Sequence, residues 1–261
     1  MAKSRVDALL VERGLFETRE KARAAIMAGS VFSGDHTLTK PGLLVAESTD
    51  IRLSSRSRYV SRGGGKLEHA LAAFAVNVAG LTVADIGAST GGFTDCLLQH
   101  GAARVYAVDV GYGQLDYRLR QDPRVVVMER TNARYLEALP EPVALATVDV
   151  SFISLTKVLD PMRRLLTPNA DVVALVKPQF EAQRDEIARG GVVRDERARA
   201  RVLGRLVAWT SSHGYRLRNL VRSPLKGPAG NVEFFIHLRW PPRAAEDLAL
   251  QLASAVKSGS A

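Results

Sequence analysis

A glycine-rich turn between an apolar strand and a helix constrains this chain more than any other feature of its sequence. The apolar run 81–84 leads into residues 85–92, which read D-I-G-A-S-T-G-G, and an amphipathic helix follows. Glycines allow backbone angles that a Cβ forbids, and they let the main chain approach a ligand closely. The helix directs free N–H groups and the positive end of its dipole at the turn. The pattern predicts a nucleotide-like cofactor at this junction, with an ordinary βα turn as the alternative.

Strands and helices alternate through the rest of the large domain. The periodicity predicts strands at 105–109, 125–128, 144–149 and 171–176, and helices at 156–166 and about 196–213. Repeated β–α units indicate a mostly parallel sheet covered by helices on both faces. The predicted fold class is therefore α/β.

Polar residues end four of these strands at equivalent positions, namely Asp85, Asp109, Asp149 and Lys177. The carboxyl ends of parallel strands meet at one edge of a sheet, where ligands bind. Asp109 ends the second strand, a position typical of a residue that binds ribose hydroxyls. Asn132 follows the third strand and can reach an adenine edge. One such residue alone is more often structural, but four in succession indicate a site.

The front of the chain forms a small basic unit. Two short helices are predicted, the first with Ser4 as N-cap and Asp7 reaching back as in a capping box, and the second beginning at Thr18 and ending at Gly29. Short strands follow. Residues 1–66 carry 12 Lys/Arg and 7 Asp/Glu, a net charge of +5 out of +9 for the chain. This balance favours a polyanionic partner, although charge alone indicates only non-specific attraction.

Composition predicts the character of the remaining segments. Residues 54–65 are polar, basic and glycine-rich, which predicts a linker, with Lys66 opening the next helix. Residues 244–261 are predicted to form a polar terminal helix. Cys96 is the only cysteine, so the chain has no internal disulfide. With no apolar run of membrane-spanning length and no visible signal peptide, we expect a cytoplasmic protein.

The front unit resembles the S4 RNA-binding domain. The matching positions are Arg5, Asp7, Leu10, Arg13, Gly14, Thr18, Arg19, Ala22, Ile26, Gly29 and Val31. The resemblance implies an α+β RNA-binding domain over residues 1–60 that reads RNA shape and phosphates. The RNA-binding residues that we expect, including two from the linker, are Arg5, Arg19, Lys21, Arg23, Arg58 and Arg62.

Almost the whole chain resembles the TlyA family, haemolysin-like proteins that are similar to FtsJ-type ribosomal RNA 2'-O-methyltransferases. The matching runs are 59–63 with Lys66, 87–94, 109–115, 129–134, 151–155, 176–181 and 230–233. The resemblance implies a Rossmann-like S-adenosylmethionine (SAM)-dependent methyltransferase domain over 61–243, with a mostly parallel seven-stranded sheet. The SAM-binding residues that follow are Asp85, Gly87, Ala88, Ser89, Thr90, Gly91, Gly92, Phe93, Asp109, Val110, Asn132 and Asp149.

The family's reaction implies four catalytic residues. FtsJ-type enzymes use a Lys-Asp-Lys-Glu set, which maps here to Lys66, Asp149, Lys177 and Glu233. A ribose 2'-hydroxyl must lose its proton as it attacks the methyl group, so a base is needed. Burial and the like charge of Lys66 both favour the uncharged form of Lys177. Asp149 would orient Lys177 and Glu233 would hold Lys66. SAM already carries a good leaving group, so no metal is expected.

The resemblance also implies the substrate, which is the ribose of a cytidine in 23S rRNA and, in some members, in 16S rRNA. The partners are then ribosomal RNA and ribosomal subunits, with a monomer as the default assembly. One alternative is a membrane-active cytolysin, which predicts an apolar or amphipathic membrane segment. Another is a non-catalytic RNA-binding protein, which predicts a damaged glycine turn. The sequence shows neither feature.

Overall fold

The computed structural model describes residues 3–27, 29–34, 36–53 and 58–240 of the chain. The chain divides into two compact units, Met1–Arg62 and Gly63–Ala261. The predicted terminal helix 244–261 and residues 54–57 of the predicted linker lie outside the described residues.

The first unit is a small α+β structure. Its elements are β1 Lys3–Arg5, α1 Val6–Glu12, α2 Arg19–Met27, β2 Val31–Ser33, β3 His36–Thr37, β4 Leu44–Ala46 and β5 Arg52–Leu53. β1 pairs with β4, and β2 lies between β3 and β5, all antiparallel. The two helices bury Val6, Leu10 and Ile26 against Val31 of β2. This apolar cluster is the unit's own core.

The helix starts of the first unit differ in how well the sequence predicted them. Thr18 caps α2 as expected, since its hydroxyl accepts a hydrogen bond from the Lys21 N–H at 3.2 Å. The capping box at Ser4 and Asp7 is wrong. Ser4 lies in β1 and donates to Glu47, and Arg5 is the N-cap of α1 without a side-chain bond. Strand pairing with β4 takes up the segment that the local pattern assigned to a cap.

The second unit, with the helix that leads into it, alternates strands and helices. The elements are α3 Arg62–Phe74, β6 Thr82–Ile86, α4 Gly92–Gln99, β7 Arg104–Val108, α5 Tyr117–Gln121, β8 Val125–Met128, β9 Val143–Val148, α6 Thr156–Met162, β10 Leu166–Val176, α7 Pro178–Glu181, α8 Glu196–Ser212, β11 Arg216–Arg222 and β12 Phe234–Trp240. Short 3-10 turns cover 163–165 and 184–186.

One seven-stranded sheet organises this unit, which confirms the predicted class. The strand order is β11-β12-β10-β9-β6-β7-β8. The five strands from β10 to β8 are parallel, and β12 pairs antiparallel with β10 and β11. The inner strands are almost wholly buried, as expected when helices cover both faces. The carboxyl ends of β6, β7, β9 and β10 therefore share one edge, where the polar residues identified above lie.

The helix that carries Lys66 begins earlier than predicted. α3 starts at Arg62, so residues 62–65 form its first turn rather than the end of a linker, and Lys66 lies inside the helix. A glycine inside a helix costs about 1 kcal/mol relative to alanine. The helix forms despite three glycines because Leu67, Leu71 and Phe74 bury an apolar face. Tertiary packing overrides the local propensity here.

Candidate active site

A cavity of 520 Å³ opens at the carboxyl ends of β6, β7 and β9. Its volume lies within the range of about 300–1,000 Å³ that is usual for small-molecule sites. Most of its wall comes from the segments that directly follow these strands. The lining residues are Ile86, Gly87, Ser89, Val108, Asp109, Val110, Gln114, Thr131, Asn132, Ala133, Arg134, Asp149, Val150, Ser151, Phe152, Ile153 and Val158.

The glycine turn forms part of this wall. Gly87 has φ +86°, and a Cβ there would lie 2.3 Å from the Asp149 carbonyl oxygen. Only glycine fits where the turn passes the end of β9. Gly91, with φ +94°, instead packs against Leu115 and Leu119. Of the predicted cofactor residues in the turn, Gly87 and Ser89 line the cavity, and the structure does not place Ala88, Thr90, Gly91, Gly92 or Phe93 in its wall.

Asp85 is the main correction to the predicted cofactor set. It is fully buried and does not line the cavity. Its two carboxylate oxygens accept hydrogen bonds from the hydroxyls of Thr94, at 2.7 Å, and Thr147, at 3.0 Å. Burial raises the pKa of Asp85 to about 7, against the lowering effect of these bonds. Asp85 therefore joins β6 to α4 and β9 beneath the turn rather than facing a ligand.

Asp109, Val110 and Asn132 do meet in the cavity wall. The Asp109 carboxylate accepts the backbone N–H of Ser89 at 2.8 Å and that of Gly111 at 2.6 Å. It thereby connects the glycine turn to the segment after β7. Each carboxylate oxygen can accept two hydrogen bonds, so capacity remains on both oxygens for a ribose diol. The side-chain amide oxygen of Asn132, Oδ1, accepts the backbone N–H of Arg134 at 3.1 Å.

The four residues of the Lys-Asp-Lys-Glu set form two ion pairs. The Lys66 ammonium lies 2.5 Å from Glu233 Oε2, and both side chains are buried. A Cβ on Gly227 would lie 2.4 Å from Glu233 Oε1, so a glycine leaves room for this carboxylate. Lys177 Nζ lies 2.6 Å from Asp149 Oδ1 and donates to Ser151 Oγ at 2.8 Å. The pairings implied by the resemblance are thus present.

The segment after β9 holds site residues that the sequence reasoning missed. Ser151 contacts Lys177, and Phe152 lines the cavity although its side chain is 91% exposed. Phe152 has φ +63°, a strained angle for a residue with a Cβ, and its ring centroid lies 5.2 Å from that of Phe180. The available signals were their position directly after a strand that ends in an acid and their place in the matching run 151–155.

Glu181, at the end of α7, holds this segment through two hydrogen bonds. Its carboxylate accepts the Ser154 hydroxyl at 2.6 Å and the Leu155 N–H at 2.7 Å. Burial raises the pKa of Glu181. The clamp ties the loop that carries Ser151 and Phe152 to the helix that follows Lys177. The loop that lines the cavity is thereby held against α7.

Residues 59–240 match the family described as FtsJ-like methyltransferase. The chain belongs to the FtsJ-like methyltransferase family. The match covers the sheet, the cavity and all four residues of the Lys-Asp-Lys-Glu set.

Relatives within this family match nearly the full chain. "Putative rRNA methyltransferase YqxC" of Bacillus subtilis is 52% identical, covering 94% of this chain and 88% of the relative. "16S/23S rRNA (cytidine-2'-O)-methyltransferase TlyA" of Mycobacterium tuberculosis is 48% identical, covering 91% and 90%. The solved structure "Putative hemolysin from Streptococcus thermophilus" has a TM-score of 0.77 at 44% identity, covering 99% and 96%. Methyltransferase and haemolysin names therefore occur among similar chains.

The expected RNA-binding residues of the first unit have varied surroundings. Arg5 and Arg19 each lie 3.0 Å from the buried carboxylate of Asp7, and hydrogen bonding to Arg5 holds the pKa of Asp7 well below its usual range. Lys21 pairs with Glu17, and Arg23 is exposed. Arg58 lies over the ring of Tyr59, and Arg62 begins α3. Within the described part of the chain, no helix is long and apolar enough to cross a membrane, and no cluster of His, Cys, Asp and Glu suits a metal ion.

Proposed function

We propose that this protein is a SAM-dependent methyltransferase that methylates the 2'-hydroxyl of a cytidine in ribosomal RNA. One observation carries the proposal: Lys177, held by Asp149 and Ser151, stands beside a cofactor-sized cavity at the carboxyl edge of the sheet. A relative that is 48% identical over nine-tenths of both chains bears this activity in its name. That name includes both 16S and 23S rRNA, and the site residues do not distinguish between them.

The cavity residues suit SAM. The bare backbone at Gly87 leaves space for the cofactor beside the end of β9, and Asp109 offers carboxylate oxygens to its ribose. Asn132 lines the same cavity and suits the adenine. When bound there, SAM supplies an electrophilic methyl group on a sulfonium. The remaining chemistry, which is to bind, orient and deprotonate the acceptor, belongs to residues of this chain.

Lys177 is the base in this proposal. Its Nζ would accept the proton of the 2'-hydroxyl as that oxygen takes the methyl group from bound SAM. Asp149 and Ser151, which both line the cavity, fix the position of Nζ beside it. Lys66, fixed by Glu233, contributes a positive charge that stabilises the developing alkoxide. Alignment of oxygen, carbon and sulfur supplies much of the rate.

Two features favour RNA as the acceptor. Phe152 presents an exposed ring beside Ser151 and Asp149, and an aromatic ring stacks on any nucleobase. Arg5 and Arg19 of the first unit converge on Asp7, which presents two guanidinium groups in a fixed arrangement. We assign this first unit as an S4-like RNA-binding domain. Its arginines suit phosphate contacts.

The test is methyl transfer to ribosomal subunits that lack the modification. Purified protein, radiolabelled SAM and 30S or 50S subunits from a strain without the endogenous enzyme are expected to yield 2'-O-methylcytidine, identified by nucleoside mass spectrometry. Lys177→Ala is expected to lose at least about a hundredfold in rate while it binds SAM normally by calorimetry. Transfer to neither subunit would refute the proposal, and near-normal transfer by the variant would refute the role of Lys177.

A further inference from the structure

Residues 183–197, here called the arginine loop, connect the active-site edge to helix α8. The loop follows α7, which itself begins directly after Lys177. Asn231 binds it on the other side, because its side chain accepts the Val193 N–H at 3.0 Å and donates to the Gly191 carbonyl at 3.0 Å. Asn231 lies two residues before Glu233 in sequence. The loop is therefore attached to the segments that carry both ion pairs of the site.

The arginine loop is built as a fixed structure. Its 3-10 turn has a reciprocal capping box between Gln183 and Glu186. Residues 188–192 form a tight turn, with Gly190 and Gly191 at φ +93° and +75° and a bridge between Ala188 and Val192. The loop runs into the first turn of α8, which the Asp195 side chain caps. A loop tied at so many points needs little ordering of its backbone on binding.

The arginines and the acidic residues of the loop differ in how many contacts they already make. Glu186 is nearly buried and pairs with Arg201 and Arg205, and the hydrogen bond from Arg205 lowers the pKa of Glu186 to about 2. The Asp195 carboxylate accepts hydrogen bonds from two backbone N–H groups of α8. Among the residues that the structure describes, no carboxylate lies within ion-pair distance of four exposed arginines, namely Arg184, Arg189, Arg194 and Arg197. Asp185 and Glu196 are the exposed acidic residues of this described loop that make neither an ion pair nor a helix cap.

We propose that the arginine loop binds phosphodiester groups of the RNA strand next to the target nucleotide. The inference rests on the proposed function, because it assumes an RNA acceptor at Lys177. Guanidinium groups match phosphate geometry with paired N–H donors. Arg189 stands in the tight turn and Arg184 and Arg194 flank it in the sequence, so one tied loop carries all three exposed guanidinium groups. This surface belongs to the second unit and adds to the basic residues of the first.

The test compares two triple variants with equal loss of charge. One is Arg184→Ala/Arg189→Ala/Arg194→Ala. The control is Arg104→Ala/Arg124→Ala/Arg164→Ala. These three exposed arginines lie at the start of β7, directly before β8 and in the turn before β10, respectively. They are at the opposite edge of the sheet from the active site. The measurements are KM and kcat with ribosomal subunits, SAM affinity, and the salt dependence of binding to transcribed 23S rRNA. Circular dichroism establishes that both variants fold.

For the loop variant we expect at least a tenfold rise in KM, with kcat and SAM affinity within twofold of wild type. The magnitude of the slope of log affinity against log salt is expected to fall by about 2–3, since each of the three lost phosphate contacts removes roughly 0.7–0.9. The control is expected to keep the wild-type KM and slope. Equal values for the two variants, or a loss confined to kcat, would overturn the proposal. A wild-type protein that binds the transcript but transfers no methyl group refutes the proposed function, while the slopes still decide the role of the loop.

Discussion

Lys66 and Glu233, separated by 167 positions in the chain, meet as a buried ion pair with 2.5 Å between Nζ and Oε2. The pair joins α3 to the segment before β12. A buried charge that loses its partner is strongly unfavourable, whereas a well-paired one is close to neutral against an apolar replacement. The pair therefore makes the position of Lys66 depend on Glu233, so the catalytic role proposed for Lys66 rests on a contact that also stabilises the fold.

Lys66→Met alone is expected to lower the free energy of unfolding by about 3–5 kcal/mol, because it leaves the Glu233 carboxylate buried and unpaired. The double variant Lys66→Met/Glu233→Leu is expected to recover most of that loss, since both charges are gone. Urea denaturation measures the stabilities. Both variants are expected to be inactive, so recovery of stability without activity separates the catalytic role from the structural one. A double variant as unstable as the single one would contradict this account.

Gly87→Ala is expected to abolish SAM binding and to destabilise the fold. The new Cβ would lie 2.3 Å from the carbonyl oxygen of Asp149, which directly follows β9, and a backbone atom cannot move aside as the end of a flexible side chain can. Gly113→Ala is the matched control, since Gly113 also has positive φ, +71°, but no atom lies within 4 Å of the place that its Cβ would occupy. We expect the free energy of unfolding of the control variant to fall by about 1 kcal/mol, because of its left-handed backbone alone. We expect this variant to bind SAM. Calorimetric titration with SAM measures both, and equal affinities would refute the steric argument.

Asp85→Asn is expected to make stability less dependent on pH. In the folded protein the pKa of Asp85 is raised to about 7 from 3.8, so the folded state keeps a proton that the unfolded chain has already lost between about pH 4 and 7. Wild-type stability from this group therefore falls as pH rises through that window, by on the order of 4 kcal/mol in total. Asparagine does not titrate. Melting curves from pH 5 to 8 are expected to show the variant gaining on wild type as pH rises, and parallel curves would contradict the burial argument.

Glu181→Ala is expected to impair catalysis through the loop that it clamps. The change leaves the Leu155 N–H and the Ser154 hydroxyl without this acceptor, at a cost of about 1–3 kcal/mol. Displacement of Ser151 and Phe152 is expected to lower kcat by roughly tenfold to a hundredfold, with little effect on SAM affinity. Glu181→Gln keeps one acceptor and is expected to recover most of the rate. A glutamine variant no better than the alanine variant would argue against a positioning role.

Local sequence patterns predicted the sheet and the edge at which its polar residues gather. Alternating apolar strands and helices required a parallel α/β sheet, and parallel strands must gather their carboxyl ends at one edge. Asp109, Asp149 and Lys177 accordingly lie there, and Asn132 lines the same cavity. These predictions depend only on periodicity and on the direction of the strands, which the order of residues along the chain contains.

The predictions from local patterns fail where a side chain could point towards either of two faces of its element. Asp85 ends β6 as Asp109 ends β7, yet it is directed into the core and is satisfied by Thr94 and Thr147. The alternation of a strand sets its two faces, but the packing of α4 and β9 decides which of them a ligand reaches. The glycines at 63–65 likewise favour a linker by composition, whereas the buried apolar face of α3 makes them helical.

By itself, the sequence of this protein determined its fold class, the cofactor turn and the residues at the strand ends. Only the tertiary structure decided that Ser151 contacts Lys177, that Glu181 clamps the loop after β9, and that Asn231 holds the arginine loop. The physical reason is that these contacts join segments far apart in the chain. Their existence depends on how elements pack in three dimensions, which no local pattern of residues encodes.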